Sequence, residues 1–157
     1  MRLSRLKRQR HNINMSKEPV HVVAAIFYRF TENKVPLVAL FRRARHISGA
    51  GKWEFPGGKV DPGESEEQAL AREIQEELNI QIKVEEKVAE NIHDYGNKVI
   101  RLVAFLVSQK VVTEQFQFRL SDHDQFSWFA QDQIDKQTLS PADVPFVELL
   151  FKKLRQK

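Results

Sequence analysis

The chain of 157 residues is 41% hydrophobic and 29% charged, the balance of one soluble globular domain large enough to bury a core. It contains no cysteine, which excludes a disulfide framework, a thiolate zinc site and a cysteine nucleophile, and fits a reducing cytoplasm. No apolar run approaches the ~18 residues of a helical membrane span, and the basic start MRLSRLKRQRHNINMSK lacks the apolar stretch of a signal peptide.

Charge is unevenly placed. Residues 1–17 hold six basic side chains (Arg2, Arg5, Lys7, Arg8, Arg10 and Lys17) and no acid, so the formal +4 of the chain leaves −2 for residues 18–157. Residues 1–18 are expected to form a basic, flexible extension, with Met15 as an alternative start. Such a tail can also bind RNA or an anionic surface. Residues 19–157 are expected to be the folded domain. They lack the basic stripe interleaved with aromatics that a dedicated nucleic-acid module needs.

In chain order, VHVVAAIFYRF (20–30) is β-branched and aromatic and predicts a strand buried on both faces. After the turn 31–34, VPLVALFRR (35–43) predicts the returning strand, with Pro36 near its start, where a missing N–H is tolerated. Residues 44–52 read as a polar loop, 53–55 as a short strand or loop, and PGGKVDPGE (56–64) as a long turn. A helix is predicted from an N-cap at Ser65 with a capping box closed by Gln68, running to Leu78. Leu70, Ala71, Ile74 and Leu78 form its apolar stripe, and Asn79 suits the left-handed position after it. Strands are expected over 80–91 and 99–109, joined by a turn at 93–98, and a shorter one over 126–130 after the lead-in 114–125. Residues 132–139 have room for a helical turn. The last helix is expected after Ser140, with Pro141 at its first position and a stripe of Val147, Leu150, Phe151 and Leu154. This order predicts an α/β fold, a mixed β-sheet between two helices.

The predicted first helix carries REIQEEL (72–78). Glu73 precedes Glu76 and Glu77 by three and four residues, so all can share one side, where like charges destabilise a bare helix. A cation between them resolves that repulsion. Magnesium takes hard oxygen ligands and keeps positions for waters and substrate phosphates, so the cluster points to a phosphate-bearing ligand held through metal. Gly57 and Gly58 just upstream can adopt unusual backbone angles or let the main chain approach a ligand or ion closely. Arg72 points roughly 100° round the helix from Glu73, which argues against simple pairing and for a bridge back to Glu64 or the loop. Glu64 is either a ligand or that anchor. His46, His93 and His123 lack metal-site spacing, so no zinc is assigned.

Gly58, Glu64, Arg72, Glu73, Ile74, Glu76, Glu77, Asn79 and Ile80 match the Nudix box, Gly-x5-Glu-x7-Arg-Glu-U-x-Glu-Glu-x-Gly-U with U a bulky aliphatic, except that Asn79 replaces the last glycine. The chain therefore resembles the Nudix hydrolases over residues 20–154, and WEFPGGK (53–59) and LSPADVP (139–145) resemble its MutT-like and CTP pyrophosphohydrolase-like branch. The resemblance implies a Nudix-type α/β/α sandwich and Mg²⁺-dependent, or Mn²⁺-dependent, cleavage of nucleoside diphosphates linked to another group. It implies Glu73, Glu76 and Glu77 as metal carboxylates, with Glu73 also handling the attacking water, Gly57 beside the metal, and Glu64 and Arg72 in support. Asp122, six residues before Trp128, stands where the family has a further carboxylate ligand, commonly glutamate, with His123 and Asp124 as neighbouring substitutes. Arg43 and Asp143 fall at substrate positions, Asp143 where the MutT type has a base-reading asparagine. Lys59 and Phe55 join them as substrate candidates, and Phe27 and Phe105 offer further stacking surfaces or core.

The expected activity is hydrolysis of a nucleoside triphosphate, oxidised or otherwise modified, to NMP and pyrophosphate, 8-oxo-dGTP being one such substrate. A CTP-type or RNA 5′-end pyrophosphohydrolase and a noncatalytic nucleotide-binding module are the alternatives. Monomer and homodimer stay open.

Overall fold

The structure, a computed structural model, describes residues 18–109 and 121–157. The expected basic extension and the lead-in 114–120 lie outside the described residues, apart from residue 18.

Among the described residues, seven strands and two α-helices follow in the order β1 (Val20–Phe30), β2 (Pro36–Arg43), β3 (Trp53–Glu54), β4 (Gly57–Lys59), α1 (Glu66–Leu78), β5 (Ile82–Asp94), β6 (Val99–Gln109), β7 (His123–Phe129) and α2 (Phe146–Leu154). The main path of the mixed sheet is β3-β2-β1-β6-β5, with β4 added to β1 and β7 to β2. β1 and β6 run parallel from Val20↔Ile100 to Phe27↔Val107, and the other pairs are antiparallel.

The apolar run of β1 is explained by a helix on each face. Ala24 and Ile26 point to one side with Leu102, Ala104 and Leu106, where Phe146, Leu150, Phe151 and Leu154 of α2 cover them. Val23, Ala25 and Phe27 point to the other with Val103 and Phe105, under Leu70, Ile74 and Leu78 of α1. Successive strand residues alternate faces, so two-sided burial demands an uninterrupted apolar sequence. Each large side chain fully buried here contributes roughly 1.5–3 kcal/mol. The arrangement is the expected α/β/α sandwich.

The ends of α1 form locally as the sequence predicts. Ser65 Oγ accepts from the Gln68 N–H at 3.1 Å, and the Gln68 side chain accepts from the Ser65 N–H at 3.0 Å. Asn79 adopts φ 56° and ψ 41°, and its N–H donates to the Gln75 carbonyl.

Four boundaries depart from expectation. Gly57–Lys59 is a strand rather than part of a long turn, because its backbone pairs with Val22–Ala24 of β1. β5 extends to Asp94, since His93 and Asp94 pair with Ile100 and Val99 across a tight turn closed by the Tyr95 N–H on the Lys98 carbonyl. β7 begins at His123, which pairs with Arg43 beyond an irregularity in β2. Pro141 opens a separate 3-10 turn, Pro141–Asp143, and α2 starts only at Phe146. Pro145 has no N–H to donate to the Pro141 carbonyl, so one continuous helix cannot form. Short 3-10 turns at Gln131–Gln133 and Lys136–Thr138 occupy the region expected to hold a helical turn. No helix among the described residues is long and apolar enough to cross a membrane.

Candidate active site

The site is assembled where β4 passes between β1 and α1. A Cβ on Gly57 would overlap the Val23 carbonyl, and one on Gly58 would overlap the Glu73 carboxylate. Neither glycine has positive φ. Their role is close approach, not an unusual backbone conformation. Gly63 is the glycine here that does need a left-handed angle, φ 83°, in the Asp61–Glu64 turn closed by the Glu64 N–H on the Asp61 carbonyl.

That turn delivers Glu64 to Arg72. Arg72 Nε donates to Glu64 Oε2 and Nη2 to Glu64 Oε1, both at 2.8 Å, a bidentate fork. Nη2 also donates to the Lys59 carbonyl at 3.0 Å. Arg72 thus ties the end of β4 and the turn to α1, as its predicted bridge required. It also donates to Glu73 Oε1 at 3.0 Å and lies 3.4 Å from Glu76 Oε2, so Glu73 is one partner among several and not a simple pair. The long guanidinium arm spans the angular offset between neighbours on the helix. The arginine fork and the Asp61 N–H hold the Glu64 carboxyl down to about 2.

The three helix carboxylates do not share one environment. Glu76 is exposed, whereas Glu73 and Glu77, one turn apart, are turned inward. Burial raises the Glu73 carboxyl above its ordinary range despite Arg72. Glu77 is pushed up to about 8, first by burial and then by the negative charges of Glu73, Asp122 and Glu54, with Arg43 opposing. Its Oε2 is buried with no hydrogen-bond partner. Asp122 is half-buried, and its backbone is anchored by the Ala44 N–H on the Asp122 carbonyl at 3.0 Å. Asp124 pairs with Arg42 at 2.8 Å, and His123, the first residue of β7, is buried against Glu54.

Among the described residues, no three Asp, Glu or His side chains converge closely enough to hold an ion as they stand. Arg72 neutralises part of the cluster instead. The donor set still fits a hard divalent cation. It offers carboxylate oxygens under mutual repulsion and one buried oxygen without a partner, the charge pattern a cation would relieve.

On the other side of β4 lies a cleft. A cavity of about 180 Å³ runs from Gly57, Gly58 and Lys59 to Phe55 and Asp143. A second, of about 320 Å³, shares Arg43, Glu54, Tyr95, Lys98 and Ser140 with it and opens past Ser48 and Lys52. Gly58 lines the first cavity and abuts Glu73, so one strand separates the carboxylates from a space of nucleoside scale. The cleft receives four predicted substrate residues: Arg43, Phe55, Lys59 and Asp143. Arg43 Nη1 pairs with Glu54 Oε1 at 2.8 Å. Phe55 is 3% exposed and packs largely into the α2-side core, while its N–H donates to Asp143 Oδ1 at 3.4 Å. Phe27 and Phe105 belong to the α1-side core and not to the cleft.

Asp143 is 3% exposed, and burial together with the charge of Glu54 raises its carboxyl well above the usual range. Sequence reasoning missed Glu54, Tyr95, Lys98 and Ser140 as cleft residues. For Glu54 the signal was present: a lone acid between two aromatics, Trp53 and Phe55, in a short half-buried strand and the residue after it. Tyr95 and Lys98 reach the cleft only because β5 and β6 form a hairpin above it.

The fold and this arrangement place the molecule in a known class. A profile described as the NUDIX domain matches residues 19–150, and the chain belongs to the Nudix family of hydrolases. It is 37% identical over 129 residues to a CTP pyrophosphohydrolase of Escherichia coli, covering 82% of this chain and 89% of that one. It is 31% identical over 136 residues to an 8-oxo-dGTP diphosphatase of Haemophilus influenzae, covering 87% and 94%. The solution structure of the E. coli ORF135 protein superposes with a TM-score of 0.68 at 34% identity, covering 89% of this chain and 93% of that chain. The protein is accordingly a Nudix-type pyrophosphohydrolase acting on nucleotides.

Proposed function

We propose that the enzyme hydrolyses free nucleoside triphosphates to NMP and pyrophosphate, with oxidised or otherwise modified nucleotides such as 8-oxo-dGTP as its leading substrates. The observation that carries this reading is the juxtaposition across Gly58: inward carboxylates on one side, and on the other a nucleoside-sized cleft ending at Asp143. The names of the two curated relatives point the same way.

Glu73, Glu76, Glu77 and Asp122, with the backbone at Gly57, would hold Mg²⁺, or Mn²⁺ in its place. When bound, the metal lowers the pKa of a coordinated water and neutralises charge on the phosphate oxygens. Glu73 Oε1 is occupied by Arg72, so Oε2 is the atom left to take the proton of the attacking water, and burial supports that basicity. Arg72 and Glu64 keep the turn and helix in register during this transfer. Lys59 and Arg43 place positive charge beside the phosphate path. Water adds to one phosphorus of the α–β anhydride as the bond from that phosphorus to the bridging oxygen breaks, so the bridging oxygen leaves with the other half and the products are NMP and pyrophosphate.

At the far end of the cleft, Asp143 favours its neutral acid. A carboxylic acid donates one hydrogen bond and accepts another. An ionised aspartate could not donate to O6 of guanine or of its 8-oxo form, and the neutral acid can. It serves cytosine as well, and the 37% identical CTP pyrophosphohydrolase keeps a CTP-type substrate as the second reading.

A panel of dNTPs, oxidised and methylated dNTPs, CTP, ADP-ribose, dinucleoside polyphosphates and triphosphate RNA, run with Mg²⁺ and read for products and rates, tests the reading. Release of NMP and pyrophosphate from free nucleotides is expected. Cleavage of triphosphate RNA with no turnover of free nucleotides would overturn it. No hydrolysis by wild type and Glu77→Gln alike would mark a noncatalytic binding module.

A further inference from the structure

His123 is 4% exposed and takes no part in the chemistry outlined above. Its Nε2 lies 3.0 Å from Glu54 Oε1, and its Nδ1 is buried without a partner. A carboxylate only accepts, so Nε2 carries the proton toward Glu54. A proton on Nδ1 as well would bury a second donor with nothing to receive it, which is costly. The arrangement therefore selects one tautomer and one donor direction.

Glu54 is the acceptor this donor serves. Arg43 Nη1 donates to the same Oε1 at 2.8 Å, and Ser140 Oγ donates to Oε2 at 3.4 Å. These three donors come from β2, β7 and the segment before α2, and they converge on a two-residue strand that could not fix a side chain alone. Glu54 lines both cavities of the cleft. Its charge also faces Asp143 and Glu77.

We propose that His123 is a positioning residue for nucleotide binding, holding the Glu54 carboxylate in one orientation so that it presents a fixed hydrogen-bond acceptor to the nucleotide in the cleft. The effect is on the orientation of Glu54 in the nucleotide-binding wall, since replacing His123 leaves in place the Glu54 charge that faces Glu77. The Asp122 backbone is anchored separately by Ala44, and the imidazole ring, 5.5 Å from the Phe41 ring, rests on an apolar neighbour that a leucine can also cover.

The inference rests on the proposed nucleoside triphosphate pyrophosphohydrolase reading, and wild-type turnover of the panel tests that reading independently. The experiment is steady-state kinetics of wild type, His123→Leu, His123→Gln and His123→Asn on the best free nucleotide, with the Mg²⁺-induced rise in Tm measured for each. His123→Leu should raise KM about tenfold with kcat within threefold of wild type and the Mg²⁺ response intact. His123→Gln, whose amide nitrogen reaches the Nε2 position, should bring KM back to within threefold. His123→Asn, which reaches only the Nδ1 position, should not. Should Leu fold poorly, the Gln-against-Asn contrast alone decides the matter. Equal KM in all variants, or an equal loss in Gln and Asn, overturns the proposal. Active wild type with an unchanged His123→Leu sinks the inference alone, whereas inactive wild type sinks the reading beneath it. In a double-mutant cycle, Glu54→Leu with His123→Leu should be no worse than Glu54→Leu alone, because leucine leaves no acceptor for His123, and additive effects count against it.

Discussion

Gly58 has no room for a side chain because the carboxylate of Glu73 occupies the place where a Cβ would stand. The contact joins a strand on β1 to the helix that carries the acids, and it fixes how far Glu73 reaches toward the cleft. Gly58→Ala should displace the Glu73 carboxylate and lower kcat by about 10²-fold, the usual cost of misplacing a reacting group by an ångström. Steady-state kinetics beside a melting curve check this. Unchanged kcat in a folded Gly58→Ala protein would show that Glu73 does not act from this position.

Glu77 predicts how metal-free stability depends on pH. Its carboxyl is raised to about 8 in the folded state, so between about 4.5 and 8 the folded chain binds more protons than the unfolded one. The Glu77 contribution to stability is therefore fully present below that window and is lost as pH rises through it. Glu77→Gln should flatten this fall and raise the metal-free Tm at pH 8, by about 2–4 °C for each kcal/mol of repulsion relieved. The same change should abolish most of the Tm increase on adding Mg²⁺ and cut turnover by at least about 10²-fold. Thermal melts from pH 5 to 8.5, with Mg²⁺ and with chelator, measure all three effects.

Glu64 behaves in the opposite sense. Its folded-state carboxyl is depressed to about 2 by Arg72 and the Asp61 N–H. The stabilisation is fully present above the unfolded value near 4.5 and is lost as pH falls from there toward 2. Glu64→Gln should make acid unfolding less steep in that interval, as read by circular dichroism. Arg72→Lys cannot form the fork to Glu64 while also holding Glu73 and the Lys59 carbonyl. It should lose activity at pH 7 far out of proportion to its loss of Tm.

Asp143 separates nucleotide recognition from bond cleavage. If its neutral acid reads the base, wild-type KM should rise as pH climbs through its raised pKa. Asp143→Asn supplies a neutral donor and acceptor at every pH, so its KM should stay flat. Asp143→Leu should raise KM about tenfold or more in both ranges, because it leaves the Phe55 N–H and the base unpaired. A pH series of KM for the three proteins provides the test.

Much of the candidate site was legible before any fold was known, because its spacing is local. Glu73 and Glu77 lie one turn apart on a helix whose caps, Ser65 with Gln68 and Asn79, are written within three or four residues of the positions they serve. Glu54 and His123 were not legible as partners, since 69 residues separate them and only the β2–β3 and β2–β7 pairings bring them together. Gly57 and Gly58 were visible as special, with close approach one of the two reasons offered, but flanking prolines suggested a turn, whereas pairing with β1 makes them a strand.

The sequence by itself determined the seams of the molecule: β1 covered on both faces, α1 with its stripe of Leu70, Ile74 and Leu78, and the acids on the helix side turned from that stripe. Periodicity and capping act over a turn or two, so neighbours suffice to set them. Tertiary structure decided which acids are buried and what they face. Glu76 stayed in solvent, Glu77 was buried with Oε2 unpartnered and its carboxyl raised, and Arg72 closed over Glu64 and Glu73 together. Desolvation and charge–charge interaction depend on distances through space, and those distances exist only once β4, α1, β7 and the segment before α2 have met around Glu54 and Gly58.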